Sequence, residues 1–94
     1  MPDIHVHPHP RLSDDEIYDV VNCIRMAADE NDKAAKALRR VARDLRRGQL
    51  YPLYAPGEEG ARAADYHAEW HEQSAERRRE IADYFEDAEQ VTIR

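Results

Sequence analysis

Cysteine, glycine and aromatic residues are scarce in this chain of 94 residues, which has one cysteine, three glycines and an aromatic content of 7%. The single cysteine, Cys23, excludes an internal disulfide and is typical of a reducing compartment, so we expect a cytoplasmic protein. No apolar run approaches the roughly 20 residues that cross a bilayer. The first residues also lack the basic start and apolar core of a secretory signal. The sequence therefore predicts no membrane partner.

A positive net charge is missing as well, because 20 acidic residues outnumber 14 basic ones and the formal net charge is −6. Contacts to phosphate need a basic surface, so we expect no direct binding of nucleic acid. Arginine outnumbers lysine twelve to two. This composition is common in GC-rich genomes and favours a bacterial or phage accessory protein. A chain of this length forms one domain whose core covers itself only partly.

The first half of the chain has the periodicity of a long amphipathic helix. Ser13 and Glu16 form the pattern of a capping box, which predicts a helix start at this point. The apolar stripe that follows has a seven-residue repeat and one polar member, and consists of Ile17, Val20, Ile24, Ala27, Asn31, Ala34, Leu38, Val41 and Leu45. Val21, Ala28, Ala35 and Ala42 widen it on one side. The pattern predicts a coiled-coil helix over residues 14–47 and a turn over 48–57.

A second and weaker stripe predicts another helix over residues 58–89. Its members are Ala63, Ala64, His67, Trp70, His71, Ser74, Ile81, Tyr84, Phe85 and Ala88. Because a short turn joins two long helices, we expect an all-α fold, an antiparallel two-helix hairpin that resembles a coiled coil. Folding about the turn pairs residues whose numbers add to about 105, which places Asn31 against Ser74 and Trp70 against small residues of the first helix.

A two-helix hairpin has a core only one layer thick, and a second copy is a common way to cover it. The broad stripe of the first helix can contact two neighbours. We therefore expect a homodimer that forms a four-helix bundle, with Asn31, Ser74 and Trp70 setting the register and the dimer contact. Residues 1–12 are predicted to form an extended arm rich in histidine and proline. Alternation within residues 3–7 and 90–93 predicts short β-strands there, the second in a tail over 90–94.

Two surface features favour binding to another protein. The turn holds Tyr51, Leu53 and Tyr54 between glycines and prolines, and stiff aromatic loops are good binding anchors. The turn can instead close the end of the helix pair, and both roles hold together if Leu50 and Leu53 fold over the helix ends while the two tyrosines face outward. The other feature is an acidic cluster at the opposite end of the hairpin, and its main residues are Asp14, Asp15, Asp19, Glu86 and Asp87. This cluster either docks a basic protein surface or only aids solubility.

Few residues are placed for chemistry, and no cofactor motif is present. His67 and His71 lie four apart on one helical face and are weak candidates for a metal site that lacks a third ligand. The segment "RAADYH", from Arg62 to His67, resembles the arginine–histidine motif of HEPN ribonucleases. That resemblance implies a helical and often dimeric nuclease in which Arg62 and His67 act across the dimer interface.

The sequence as a whole predicts a small non-enzymatic interaction module that acts as an adaptor, inhibitor or regulator. Its binding surfaces would be the helical faces, the aromatic turn and the acidic end. Two other functions remain open. One is a HEPN-like ribonuclease or toxin, and the other is an acidic inhibitor that mimics nucleic acid.

Overall fold

The computed structural model describes residues 12–93, and these form a rod of two long helices with extents of 63 × 27 × 18 Å. Helix α1 spans Asp14–Arg46 and helix α2 spans Gly57–Ile93. The two helices pack against each other along their length. The predicted all-α hairpin is confirmed in this respect.

The C-terminal segment does not have the predicted structure. Residues 90–93 were expected to form a strand, but α2 continues through Ile93. The isolated alternation of four residues is too short to outweigh continuation of an existing helix. The other expected strand, over residues 3–7, lies outside the described residues.

The start and end of α1 follow from local hydrogen bonding. Glu16 donates its backbone N–H to the Ser13 hydroxyl over 3.1 Å, and the Glu16 carboxylate accepts the Ser13 backbone N–H over 2.8 Å. These reciprocal bonds satisfy two of the donors that a helix start leaves free. After α1, Gly48 has a φ of 99°, a conformation that only glycine adopts without strain. The predicted capping box and turn position are therefore both present.

Small residues form the centre of the helix pair. Every seventh residue of α1 from Val21 to Ala42 is buried, and on α2 the corresponding line is made entirely of alanine, at Ala61, Ala68, Ala75 and Ala82. Alanine side chains allow two helix backbones to approach closely, because nothing larger than a methyl group separates them. The core is thus thin, and its stability depends on close contact rather than on bulky side chains.

The predicted stripe on α1 was displaced to one side. The line that was expected only to widen it, which contains Val21, Ala28, Ala35 and Ala42, is the one buried against α2. Of the stripe that was expected at the centre, Ile17, Asn31 and Leu45 are buried as predicted. Its other members are at most partly covered, and Val20 remains 37% exposed. The apolar pattern alone could not distinguish these lines, since both repeat every seven residues.

The stripe predicted on α2 was wrong at five of its ten residues, while His71, Ser74 and Phe85 in it are half-buried. Ala63, His67, Trp70, Ile81 and Tyr84 are exposed, whereas Ala64 is buried as expected. The larger residues lie on the outer side because the closely approaching backbones leave room only for alanine between the helices. Size of side chain was therefore a misleading guide to burial in this helix.

The register of the hairpin agrees with its prediction to within about one residue. Near the turn, Ala42 and Leu45 form a cluster with Ala61 and Ala64. At the far end, Ile17 and Val21 pack with Ala82, and Ile24 and Phe85 lie against that cluster. No helix in residues 12–93 is both long and apolar enough to cross a membrane.

Replacement of Ala68 by leucine tests the close approach of the helices. Ala68 is fully buried, so the larger side chain should overpack the core and lower the free energy of unfolding by about 1–3 kcal/mol. Ala63→Leu is the matched control, because Ala63 lies on the same helix and is exposed. Urea unfolding measures both variants, and equal stability of the two would contradict the alanine-line core.

Candidate functional site

The two tyrosines of the turn are held against the helices. The Tyr51 hydroxyl donates to Oδ2 of Asp44 over 2.6 Å, and the Tyr54 hydroxyl is 2.7 Å from Nδ1 of His67. Both rings are half-buried and pack against the core cluster near the turn. The hydrogen bond to Asp44 is the main reason why the pKa of Tyr51 is raised above 10.0. The two tyrosines therefore cover the end of the core next to the turn.

The two leucines of the turn face solvent. Leu50 is 77% exposed and Leu53 is 90% exposed. This reverses the expected orientation, in which the leucines faced inward and the tyrosines outward. The physical reason is that Asp44 and His67 offer hydrogen-bond partners to phenolic hydroxyls, which leucine cannot use. Of the predicted binding residues in the turn, Leu53 is accessible, whereas Tyr51 and Tyr54 are half-buried and hydrogen-bonded within the hairpin.

A polar layer crosses the middle of the core. Asn31 is only 7% exposed, and its Oδ1 accepts a hydrogen bond from the guanidinium of Arg78. Its Nδ2 lies 2.7 Å from Nδ1 of His71. Because Arg78 can only donate, the amide nitrogen of Asn31 must face His71, whose Nδ1 then accepts. This layer fixes the alignment of the helices, since a shift by one turn would leave a buried amide without partners.

Asn31 was expected to contact Ser74, and it does lie opposite the part of α2 that contains Ser74. Its hydrogen bonds, however, go to His71 and Arg78, which flank Ser74 in sequence. Ser74 is half-buried beside this layer, and Trp70 packs edge-on against His71 with ring centroids 4.9 Å apart. Sequence reasoning missed Arg78, because an arginine in an apolar repeat suggests an interruption rather than a donor to a buried amide.

One side of the hairpin is sealed by ion pairs between the helices. Arg39 binds Asp65 and Glu72, and Arg46 binds Glu58 and Asp65, over 2.8–3.1 Å. Farther from the turn, the same seam consists of Arg79 with Asp29 and Asp32, and of Arg25 with Asp83 and Glu86. Hydrogen bonds to these carboxylates raise the pKa of Arg39 and of Arg79 above the ordinary value of an arginine. All four guanidinium groups therefore remain charged at any physiological pH.

The opposite side of the hairpin is apolar and only partly covered. In an α-helix, the residue four positions after each buried-line residue lies on one side of the contact, and the residue one position before it lies on the other. The first kind makes the ion pairs. The residues of the second kind on α1 are Val20, Ala27, Ala34 and Val41. Together with the half-buried Ile24 and Leu38, and with Trp70 and Ile81 beside them on α2, they form a surface that we call the open strip.

The open strip contains no charged side chain over its length on α1. Trp70 is 55% exposed and Ile81 is 46% exposed. The half-buried line of Ile24 and Leu38 belongs both to the edge of the hairpin core and to this surface. A solvent-exposed apolar surface bordered by charged residues is typical of protein interaction sites. The geometry therefore makes the open strip the best candidate functional site among the described residues.

The acidic end is accessible, as the sequence predicted, but part of it is engaged. Asp14, Asp15, Asp19 and Asp87 are exposed. Glu86 is half-buried and accepts a hydrogen bond from Arg25 over 3.2 Å. Glu86 thus contributes to the ion-pair seam, and the free carboxylates of this end belong mostly to the start of α1, where they favourably face the helix dipole.

The residues proposed for chemistry have separate neighbours. Arg62 lies 3.5 Å from Glu58 in an ion pair, while His67 lies beside Tyr54. His67 and His71 each use Nδ1 in a hydrogen bond to a different partner. Within the described part of the chain, no group of three or more histidine, cysteine, aspartate or glutamate side chains is arranged to hold a metal ion.

Comparisons of the chain with protein-family models, with curated proteins and with solved structures gave no match.

Substitutions in the turn distinguish its two pairs of large residues. Tyr51→Phe should lower the midpoint of urea unfolding, because it leaves Asp44 without its hydroxyl donor. Leu53→Ser should change stability by no more than about 0.5 kcal/mol, since that side chain lies in solvent. The reverse ranking of the two variants would show that the leucine, and not the tyrosine, closes the hairpin end.

Glu58 makes the ion-pair seam sensitive to acid. Its hydrogen bond from Arg46 is the main cause that lowers the pKa of Glu58 below 4.5. Folding thus favours the charged form, so the stabilisation is complete above this value and is lost as the pH falls through the folded-state pKa. Glu58→Gln should therefore lower the thermal midpoint at pH 7, and its effect should shrink as the pH falls well below 4.5. Thermal unfolding across this range would refute the assignment if the difference stayed constant.

Proposed function

We propose that this protein is a small, non-enzymatic interaction module that acts by burying its open strip against the surface of another protein chain. The single observation that carries the proposal is the asymmetry of the hairpin. One side is closed by ion pairs to all four of Arg25, Arg39, Arg46 and Arg79, and the other presents an uncharged apolar strip to solvent.

The thin core limits the free energy of folding of the hairpin. A hairpin whose contact surface is lined by alanine buries little apolar area per residue, and its free energy of folding is correspondingly small. Burial of Val20, Trp70 and Ile81 against a second surface would add apolar area without disturbing the ion-pair seam. A homodimer in the form of a four-helix bundle is one assembly of this kind.

The exposed leucines provide a second apolar contact at the end of the rod. Tyr51 and Tyr54 hold the backbone of the turn, and Pro52 restricts it further. Leu53 is therefore presented on a segment with little freedom to lose on binding, which favours contact with a partner. An adaptor or inhibitor could use the strip and the tip together or separately.

Differential capture tests the proposed surface. Tagged wild-type protein and the Ile81→Glu variant would be used as bait in the native host, with Met26→Glu as the matched control. Met26 is 59% exposed and lies on the outer side of α1, away from the strip. We expect protein partners, including untagged copies of this chain, to bind the wild type and Met26→Glu but to be reduced at least tenfold on Ile81→Glu.

Circular dichroism would first establish that both variants retain the helical content of the wild type. Capture of the same proteins by Ile81→Glu and by wild type would contradict the proposal, as would failure of either wild type or Met26→Glu to retain any protein.

A further inference from the structure

We infer that the surface which covers the open strip is a second copy of this chain turned end for end, so that the turn of each copy lies beside the acidic end of the other. This inference rests on the proposed function and adds the identity and the orientation of the partner. Three independent features of the described residues lead to it: the division of charge along α1, the symmetry of the strip, and the position of a groove on α2.

The charges of α1 are divided at its midpoint. Residues 14–31 contain six acidic residues and one arginine, whereas residues 32–47 contain seven basic residues and two aspartates. The two halves therefore carry net charges of −5 and +5. An antiparallel second α1 would place each half beside the half of opposite charge, which favours this orientation through electrostatic complementarity.

Partial neutralisation by α2 does not remove this preference. Residues 58–74 of α2 carry a net charge of −4 and residues 76–87 carry −2. The half of the rod near the turn thus has a net charge of +1, and the opposite half has −7. Two copies with their turns at the same end would bring two halves of −7 together, whereas the end-for-end arrangement avoids this repulsion.

The open strip is symmetric about Asn31. Val20 and Val41 lie at nearly equal distances on either side of it, as do Ala27 and Ala34. Ile24 and Leu38 occupy the intermediate positions. In an isologous dimer, the same surface serves both copies, so residues related by the two-fold axis contact each other. An axis at the level of Asn31 would pair residues of equal size and leave the smallest ones near the centre, where the backbones approach most closely.

A shallow groove on α2 is centred at the same level. It has a volume of about 410 Å³ and is lined by Trp70, Gln73, Ser74, Glu76, Arg77 and Glu80. These residues are arranged symmetrically around Ala75, which lies across the core near Asn31. The same two-fold axis would bring Trp70 of each copy toward Arg77 and Glu80 of the other. A tryptophan ring next to an arginine gains a cation–π contact in addition to burial.

The rod is long enough for a stable contact of this kind. Its extents of 63 and 27 Å describe the face that carries the strip. A typical interface buries about 800 Å² on each partner, so about half of this face is sufficient. The strip supplies the apolar centre, and exposed charged residues at its outer edge such as Asp19 and Arg40 form its rim, which is the usual arrangement of a protein–protein interface.

Distances between spin labels test the orientation directly. Gln49 is exposed in the turn, and a Cys23→Ser/Gln49→Cys variant carries one label per chain. In the end-for-end dimer the two labels should be about 50–60 Å apart at the helical rise, whereas turns at the same end would bring them within about 30 Å. Cys23→Ser/Lys33→Cys is the matched control. Its label lies near the proposed axis, so it should give a short distance in either arrangement and verify the dimer.

Charge reversal with rescue provides a second measurement that does not depend on labels. Arg40→Glu should raise the dimer dissociation constant by about fivefold, since an exposed pair contributes up to a factor of about five. Adding Asp19→Arg should restore most of the affinity, because Arg40 and Asp19 are both exposed at the outer edge of the strip and lie at nearly the same level only in the end-for-end dimer. Analytical ultracentrifugation measures both variants, and helical content by circular dichroism verifies folding.

The outcomes separate this inference from the proposed function. A short distance between Gln49 labels, or no rescue by the second reversal, overturns the orientation but leaves the strip as the binding surface. A monomer at all concentrations overturns the second copy as partner, and differential capture with Ile81→Glu then still tests the proposed function. Long Gln49 distances together with rescue support the inference.

Discussion

Close approach of the two helix backbones is the constraint on which the other features of this protein depend. It is possible because α2 places alanine at every seventh residue from Ala61 to Ala82. Backbones at this distance exclude larger side chains from the contact and displace them to its two edges. The large apolar residues Trp70, Ile81 and Tyr84 are therefore exposed. The exposed apolar surface is thus a direct consequence of the alanine core.

The two edges of this thin core are used differently. Charged residues four positions after the buried lines meet across one edge, where arginine and carboxylate groups alternate between the helices. Exposed ion pairs of this kind contribute little free energy individually, but together they disfavour incorrect registers, because a shift would bring like charges together. No such pairs cross the other edge within the described residues, and Val20, Trp70 and Ile81 there remain largely exposed. Specificity of folding is concentrated on one side, which leaves the other available for binding.

Sequence reasoning predicted those parts of the fold that depend on local signals. The reciprocal pattern of Ser13 and Glu16, the glycine after α1 and the seven-residue repeat each determine local structure, and the hairpin follows from them. The choice between adjacent apolar lines of α1 was beyond such reasoning, because it depends on the size of the residues on α2. The orientation of the turn was also missed. Burial of Tyr51 and Tyr54 requires Asp44 and His67 at particular positions, and that requirement appears only when both helices are in place.

The candidate site was predicted only in outline for a related reason. The breadth of the α1 stripe predicted contacts with two neighbours. The line that contains Val20 was expected to lie at the centre of the contact with α2, but the line that contains Val21 lies there instead. Large residues on α2 were interpreted as core because hydrophobicity usually correlates with burial. That correlation fails when the core is made of alanine, since an exposed tryptophan and a buried alanine can both satisfy a helical repeat. The placement of exposed large residues beside a line of alanines is the signal that would have identified the strip.

The polar layer at the middle of the rod affects both the fold of the hairpin and its proposed assembly. Asn31, His71 and Arg78 replace apolar contacts at the one level where a core of alanine would otherwise be uniform, and uniform repeats allow neighbouring registers of similar energy. Hydrogen bonds at this level lower stability relative to an apolar layer but select a single alignment. The charges of α1 change sign at the same level, and the groove of α2 is centred there. Because the alignment of the two helices determines where these features lie relative to each other, a hairpin displaced by one helical turn would lose the symmetry of its exposed face. The buried amide of Asn31 therefore positions the proposed binding surface even though it does not itself belong to it.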